Sequence, residues 1–364
     1  VVDTTVRVRP RDLDPLGLEA VDGLLDERVA QQARALTEVS PELAEVVGSV
    51  TTMLSGGKRL RAAFCLWGAR GAADDATVPG SIEAAAALEM FHLAALVHDD
   101  VMDRSATRRG TPTVHEHHAG RHREDGLDGD SSVFGDGVGV LVGDLCLTWS
   151  DDLLAAALRA GPVATSTSTR RVWEQMRTQV LAGQYLDLLA QARPTTSSAD
   201  AERVLRYKSA KYTVEHPLQL GAAIAGADPV LVEGYGAFGL PVGEAFQLRD
   251  DVLGVFGDPS ATGKSVHDDV REGKRTLLVA LARENADDEQ RRTLERHLGD
   301  PLLDDTGLLA VRRVLTATGA LDRVEERISD LVSGARAVLD AMPVGPESRA
   351  ALGALTDACA WRSA

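Results

Sequence analysis

Apolar residues recur at three- and four-residue spacing along most of the chain, and short polar, Gly-rich stretches interrupt them. Residues 1–24 mix Arg, Asp, Pro and Gly without a period and read as an N-terminal arm. From Leu24 to Leu54 helical spacing takes over, Ser55-Gly56-Gly57 breaks it, and Lys58-Arg59-Leu60-Arg61 opens the next helix. After a loop over 72–80, Ser81 is placed to cap a long helix that reaches Asp103. Arg104 to Pro112 is loop in character. His115 to Asp136 holds almost nothing apolar and predicts a mobile surface loop. Further helices are predicted over 137–158, 165–192, 199–225 with an interruption at Pro217, 230–255 and 276–285. Phe256 to Arg275 reads as a Gly/Asp/Lys-rich loop, and amphipathic helices complete the chain. No run alternates β-branched residues and no repeat of 20–50 residues stands out. The pattern predicts an all-α fold, a single domain over 25–364 behind the arm.

Composition sharpens this picture. The 364 residues are 44% hydrophobic but only 4% aromatic, which favours Ala- and Leu-rich helices packed closely. A net charge of −16 excludes general nucleic-acid binding and attraction to anionic membranes, so any basic cluster answers to a local ligand. Cys65, Cys146 and Cys359 are too far apart for a C-x-x-C site and fit a reduced, cytoplasmic setting. The most apolar stretch, Ala84 to Val97, is broken by Glu89 and His92 and is too short to cross a bilayer, so no integral membrane segment is expected.

Two aspartate groups carry the chemistry. His98-Asp99-Asp100-Val101-Met102-Asp103 ends one apolar helix and precedes Arg108-Arg109-Gly110. Phe246-Gln247-Leu248-Arg249-Asp250-Asp251 lies within another, ahead of Gly263-Lys264 and Gly273-Lys274. Asp99 and Asp103 are four apart and share a helix face, with Asp100 beside them. Carboxylates in apolar surroundings are costly unless something cationic satisfies them. Mg²⁺ uses one or two carboxylates together with substrate phosphates, and the neighbouring Lys and Arg would hold those phosphates. A solvated acidic helix end is the alternative for either group alone; two groups, each followed by a basic loop, make it improbable. Lys58 and Arg61, three apart at a helix start, favour an anion. His92 lies seven residues before Asp99, two turns down the same face.

Over nearly its whole length the chain resembles the trans-isoprenyl diphosphate synthases, the polyprenyl synthetase family. The first aspartate-rich motif matches fully as Asp99-Asp100-x-x-Asp103. The second matches at Asp250-Asp251 with Phe246-Gln247 before it, but Gly254 stands where a third Asp is common. The resemblance implies a bundle of long helices around a central cavity and a Mg²⁺-dependent, head-to-tail condensation of an allylic diphosphate with isopentenyl diphosphate. Three Mg²⁺ would be held by Asp99, Asp103 and Asp250, with Asp100 and Asp251 in the same clusters. Lys58, Arg61, His92 and Arg109 would hold isopentenyl diphosphate; Arg108, Lys208, Lys264 and Lys274 would hold the allylic diphosphate. Lys208-Ser209 resembles the family's Lys-Thr pair, and with Gln247 it would position the leaving group. Lys211, Arg249 and Arg275 are either accessory or salt-bridged.

Product length would be set by how far the apolar tail runs beneath the first motif. Ala94 and Ala95 leave room there, and Phe91 is the next bulky residue, roughly 12 Å below Asp99 at 1.5 Å per residue. This favours geranylgeranyl diphosphate (C20), with farnesyl and C25 or longer products as alternatives. A class I terpene cyclase lacks the need for a second diphosphate site, and its usual second metal motif is absent. A non-catalytic partner subunit finds support only in Gly254. The resemblance also implies a homodimer, to which the Ala-rich 137–158 segment could contribute.

Overall fold

The computed structural model describes residues 17–73, 78–258 and 266–362, whose regular structure is helical apart from one two-stranded ladder. Helix α1 (Leu18–Val39) begins inside the stretch expected to be an arm; residues 1–16 lie outside the described residues. Its inner face is Leu18, Val21, Leu25 and Val29, the three-and-four spacing of an amphipathic helix. The expected single run to Leu54 is instead split. Ser40 precedes Pro41, and the proline ring forces it into extended backbone (φ −157°) before α2 (Ala44–Leu54) resumes.

Helix α3 (Leu60–Ala73) is buried around nearly its whole circumference, and α4 (Ser81–Asp103) packs beside it. Ser81 is not the cap of α4: Gly80 occupies that position in the left-handed region at φ 86°, and Ser81 is the first helical residue. After α4 the strands Thr107–Arg108 and Thr111–Pro112 pair antiparallel. Their two-residue turn, Arg109-Gly110, has positive φ at both positions (53° and 76°), as a type I′ hairpin requires.

The expected surface loop over 115–136 is largely helical. Helix α5 (Val114–Glu124) buries His115, His118, Ala119 and His122 along one face, and His118 Nε2 lies 3.0 Å from Ser49 Oγ. Counting histidine as solvent-facing hid this helix. Helix α6 (Ser131–Ala160) starts earlier than expected, where Asp130 accepts from the Ser132 and Val133 N–H groups. It packs on α4 and α5, and among the described residues it is the one helix long and apolar enough to cross a membrane by composition.

Helix α7 (Ser166–Ala192) leads to α8 (Ser198–Val204), an eleven-residue π-helical segment (Leu205–Glu215) and α9 (His216–Ile224). The chain does not break at Pro217. The wider π register ahead of it, in which His216 N–H reaches Lys211 O, accommodates the residue that cannot donate. Helix α10 (Pro229–Phe256) carries the second aspartate pair. The short α11 (Asp268–Arg271) falls within the expected 256–275 loop. It is followed by α12 (Leu277–Asn285), α13 (Asp288–His297), α14 (Asp305–Ala317), α15 (Ala320–Ala341) and α16 (Pro346–Ala360). One large apolar core joins α1–α7 with α9 and the first half of α10; a second packs the end of α10 against α12–α15.

Helices α3 and α9 meet almost backbone to backbone. A Cβ on Gly221 would stand 1.9 Å from Cys65 O, and one on Gly68 would stand 2.4 Å from Leu218 O. Gly221→Ala is therefore expected to destabilise the fold by about 1–3 kcal/mol through overpacking. Gly48→Ala, in α2 with nothing within 4 Å, should stabilise it by about 0.5–1 kcal/mol. Urea unfolding followed by circular dichroism reads both, and equal midpoints for the two variants would refute the close-packing account.

Candidate active site

A cavity of about 420 Å³ opens between the C-terminal end of α4, the end of α10 and the π segment. Glycines let the π segment come close: Gly183 of α7 lies under Tyr207 and Lys208, and Gly239 and Gly243 of α10 lie under Glu215 and Ala210. That clamp aims Lys208, Ser209 and Tyr212 into the cavity.

On the α4 wall, Asp99 Oδ1 accepts from Lys208 Nζ at 2.9 Å and from Gln184 Nε2 at 2.9 Å. Lys208 also donates to Asp187 Oδ2 at 2.6 Å. Burial opposes the charge on both partners, yet the lysine holds the Asp99 carboxyl below its usual range, and Asp99 and Asp187 hold the lysine above its own. Asp103, one turn beyond Asp99 and outside the cavity lining, is pushed up to about 6 by burial and by Asp99, and its Oδ1 is buried without a hydrogen-bond partner. Asp100 points elsewhere. It is 1% exposed and receives Arg108 Nε at 2.9 Å on both oxygens, so here it orients Arg108 rather than lining the cavity beside Asp99.

The α10 wall presents Gln247, Asp250 and Asp251. Gln247 Nε2 donates to Asp251 Oδ1 at 2.8 Å, and Arg362, beyond the last helix, donates to Asp250 Oδ1 at 2.6 Å. Burial pushes Asp251 up to about 8, with the charges on Asp250 and Asp269 adding to it and the Gln247 bond opposing it. Lys274 donates to Asp269 Oδ1 at 2.7 Å and lies 2.9 Å from Glu272 Oε2. Glu272 in turn accepts from Ser105 at 2.7 Å, joining the two aspartate-bearing regions across the mouth.

A basic pole completes the cavity. Arg61 is buried, donates to Thr213 Oγ1 at 2.9 Å and lies 4.3 Å over the Tyr212 ring; its Nε has no partner. His92 Nδ1 lies 3.2 Å from the Tyr212 hydroxyl. Burial first, then Arg61, Arg108 and Arg109, drive its pKa well below normal, so the ring is neutral. The hairpin turn carries Arg109 to Ser55 O at 3.0 Å, across from Lys58, whose own pKa burial and Arg362 lower.

The structure thus gathers Lys58, Arg61, His92, Asp99, Arg108, Arg109, Lys208, Ser209, Gln247, Asp250, Asp251 and Lys274 around one cavity. Lys264 lies outside the described residues. Of the two alanines, Ala95 lines the cavity, whereas Ala94 is 2% exposed in the core and does not. Phe91 packs edge-on against Trp173 and Tyr212 at 5.8 and 6.4 Å. Sequence reasoning missed Gln184, Asp187, Tyr212, Asp269 and Arg362. The three-residue spacing of Gln184 and Asp187 on α7 was the one readable signal. Among the described residues no three His, Cys, Asp or Glu side chains are grouped so that they alone could hold a metal ion. Open pairs of carboxylate oxygens, one of them orphaned and buried, suit a hard cation whose remaining ligands come from phosphate.

Comparisons with known proteins bear on the family and the fold. Residues 43–308 match the polyprenyl synthetase family model. A crystal structure of geranylgeranyl pyrophosphate synthase from Corynebacterium glutamicum, complexed with isoprenyl diphosphate and magnesium, superposes with a TM-score of 0.90 at 37% identity, covering 94% of this chain and 97% of that one. Geranylfarnesyl diphosphate synthase of Aeropyrum pernix is 33% identical over 85% of this chain and 91% of its own length. Octaprenyl diphosphate synthase of Escherichia coli is 28% identical over 93% and 97%.

A carboxyl whose pKa is raised in the fold binds more protons folded than unfolded, so its ionisation costs stability as pH rises. Without metal, Asp251 should leave the protein most stable below about pH 4 as far as this group is concerned, with stability lost towards pH 8. Asp251→Asn should flatten that slope in thermal unfolding across pH 5–8. A slope identical to the parent's would remove Asp251 as its source.

Proposed function

The chain belongs to the polyprenyl synthetase family and is a prenyltransferase, and from that premise we propose that it condenses an allylic diphosphate with isopentenyl diphosphate, head to tail, to give geranylgeranyl diphosphate. The observation that carries this reading is the pairing, in one cavity, of two facing carboxylate groups with a separate cationic pole at Lys58, Arg61 and Arg109. Carboxylates plus metal serve one diphosphate. The cationic pole serves a second, which a terpene cyclase does not need.

Asp99, Asp103, Asp250 and Asp251 would hold Mg²⁺, three ions in our reading, and the bound metal would neutralise charge on the departing diphosphate. Lys208, Lys274 and Arg108 add fixed positive charge around the same leaving group, which lowers the barrier to C–O cleavage. Lys58, Arg61 and Arg109 hold isopentenyl diphosphate by its phosphates. Neutral His92, held by Tyr212, can donate a hydrogen bond to them without adding charge. The isopentenyl double bond attacks the allylic carbon, and the proton lost from the adduct passes to the released diphosphate. Ser209 and Gln247 orient the reacting groups. Ala95 gives the growing tail its first space below Asp99, and the Phe91–Trp173–Tyr212 cluster supports a floor one turn further down. We take the enzyme to be a cytoplasmic homodimer. The support is an exposed apolar stripe on α6, Val133, Phe134, Val140 and Leu141.

Three measurements test this reading. With Mg²⁺, isopentenyl diphosphate and dimethylallyl, geranyl or farnesyl diphosphate, the purified chain should yield a C20 diphosphate by mass spectrometry. Cyclised hydrocarbon, or no extension unless a partner protein is added, would reject it. Ala95→Phe should shorten the product by at least one five-carbon unit and Ala94→Phe should do so less, since only Ala95 faces the cavity; unchanged products from both would sink the floor assignment. Leu141→Glu should convert a dimer to a monomer in light-scattering chromatography, and a parent chain that is itself monomeric would refute the dimer.

A further inference from the structure

Gly254 lies four residues after Asp250 on α10, one turn further along the same face, where a third carboxylate would complete the second aspartate group. The space beside it is not empty. A Cβ built on Gly254 would stand 1.8 Å from Asp269 Oδ2 and 2.9 Å from its Cγ. No real side chain tolerates the first distance, so any residue larger than glycine at 254 must push the Asp269 carboxylate out of its present position. Asp269 comes from α11, a separate segment, and lines the cavity together with Asp250, Asp251 and Lys274. Its other oxygen, Oδ1, accepts from Lys274 Nζ at 2.7 Å, which fixes the direction of Oδ2 towards α10.

We propose that Asp269 supplies, from α11, the carboxylate that α10 lacks at position 254, and that Gly254 is there to admit it. The second acidic group is then complete as Asp250, Asp251 and Asp269. Through Lys274 the same carboxylate positions a lysine for the allylic diphosphate, so metal-facing and phosphate-facing charges are set by one side chain. The proposal rests on the reading that these carboxylates hold divalent cations with a diphosphate. It goes beyond that reading in assigning the missing position to a residue outside the motif.

The test is binding of Mn²⁺, followed by electron paramagnetic resonance, to the full chain saturated with inorganic diphosphate. Asp269→Asn should weaken one class of bound ion by roughly ten- to hundredfold, the range for partners that orient a metal site. Gly254→Ala keeps Asp269 but pushes its carboxylate aside, and should weaken the same ion. It gives the answer if Asp269→Asn does not fold, as judged by thermal unfolding. The double variant Gly254→Asp with Asp269→Asn moves the carboxylate onto α10 and should restore most of the affinity. Affinity unchanged in both single variants would overturn the proposal while leaving the metal reading intact. Loss in Asp269→Asn without recovery in the double variant would also overturn it, because Asp269 would then act only by holding Lys274. A parent chain that binds no Mn²⁺ with diphosphate would defeat the metal reading itself, and this inference with it.

Discussion

The Lys208 ammonium, held between Asp99 and Asp187, is the contact on which the arrangement of the cavity depends. It joins the π segment to α4 and to α7 at once, and all three side chains are largely withdrawn from water. Removing one partner from such a buried set leaves an uncompensated charge, typically a loss of 3–5 kcal/mol. The glycines at 183, 239 and 243 follow from the same requirement. The π segment must lie close enough to α7 and α10 for one lysine to span the gap, and side chains at those positions would hold it away. The wide π register is the other half of this geometry, turning consecutive residues Lys208 and Ser209 toward one cavity.

Much of the helical skeleton was legible because its signal is local. Apolar spacing marked α3, α7 and α10 to within a few residues, and the Asp, Arg and Lys clusters fell where loops meet buried helices. What was illegible depends on partners distant in sequence. Helix α5 carries its buried face on histidines, whose apolar role is visible only once Ser49 and Gly135 are beside them. Asp100 was grouped with Asp99 because the two are adjacent, yet successive helical residues point about 100° apart, and Arg108 claimed it. Asp269 could not be tied to Gly254 from spacing alone, since a motif records order along one helix and not what another segment brings alongside. Arg362, near the end of the chain, gave no pattern at all.

The two poles of the cavity differ in what they need before an anion can settle. At Lys58, Arg61 and Arg109 the charge is already positive and His92 is neutral, so a diphosphate meets attraction from the outset. Between α4 and α10 the balance is the reverse. Asp99, Asp103, Asp250 and Asp269 outnumber Lys208, Lys274 and Arg362, and those cations already hold carboxylates, while burial keeps the Asp251 carboxyl largely protonated. A bare diphosphate approaching there would face like charge in a partly desolvated site, where Coulomb energies are several times those in water. A bare cation would find carboxylates on both α4 and α10 but, among the described residues, no three of them grouped to hold it. On the proposed reading, each would therefore supply what the other lacks: the diphosphate would offer oxygen ligands to the metal, and the metal would offset the carboxylates for the diphosphate. On the same reading, a chain with a net charge of −16 would in this way bind two highly charged anions side by side. It would confine strong attraction to one pole and make the reactive diphosphate's binding conditional on the cation that would assist its departure.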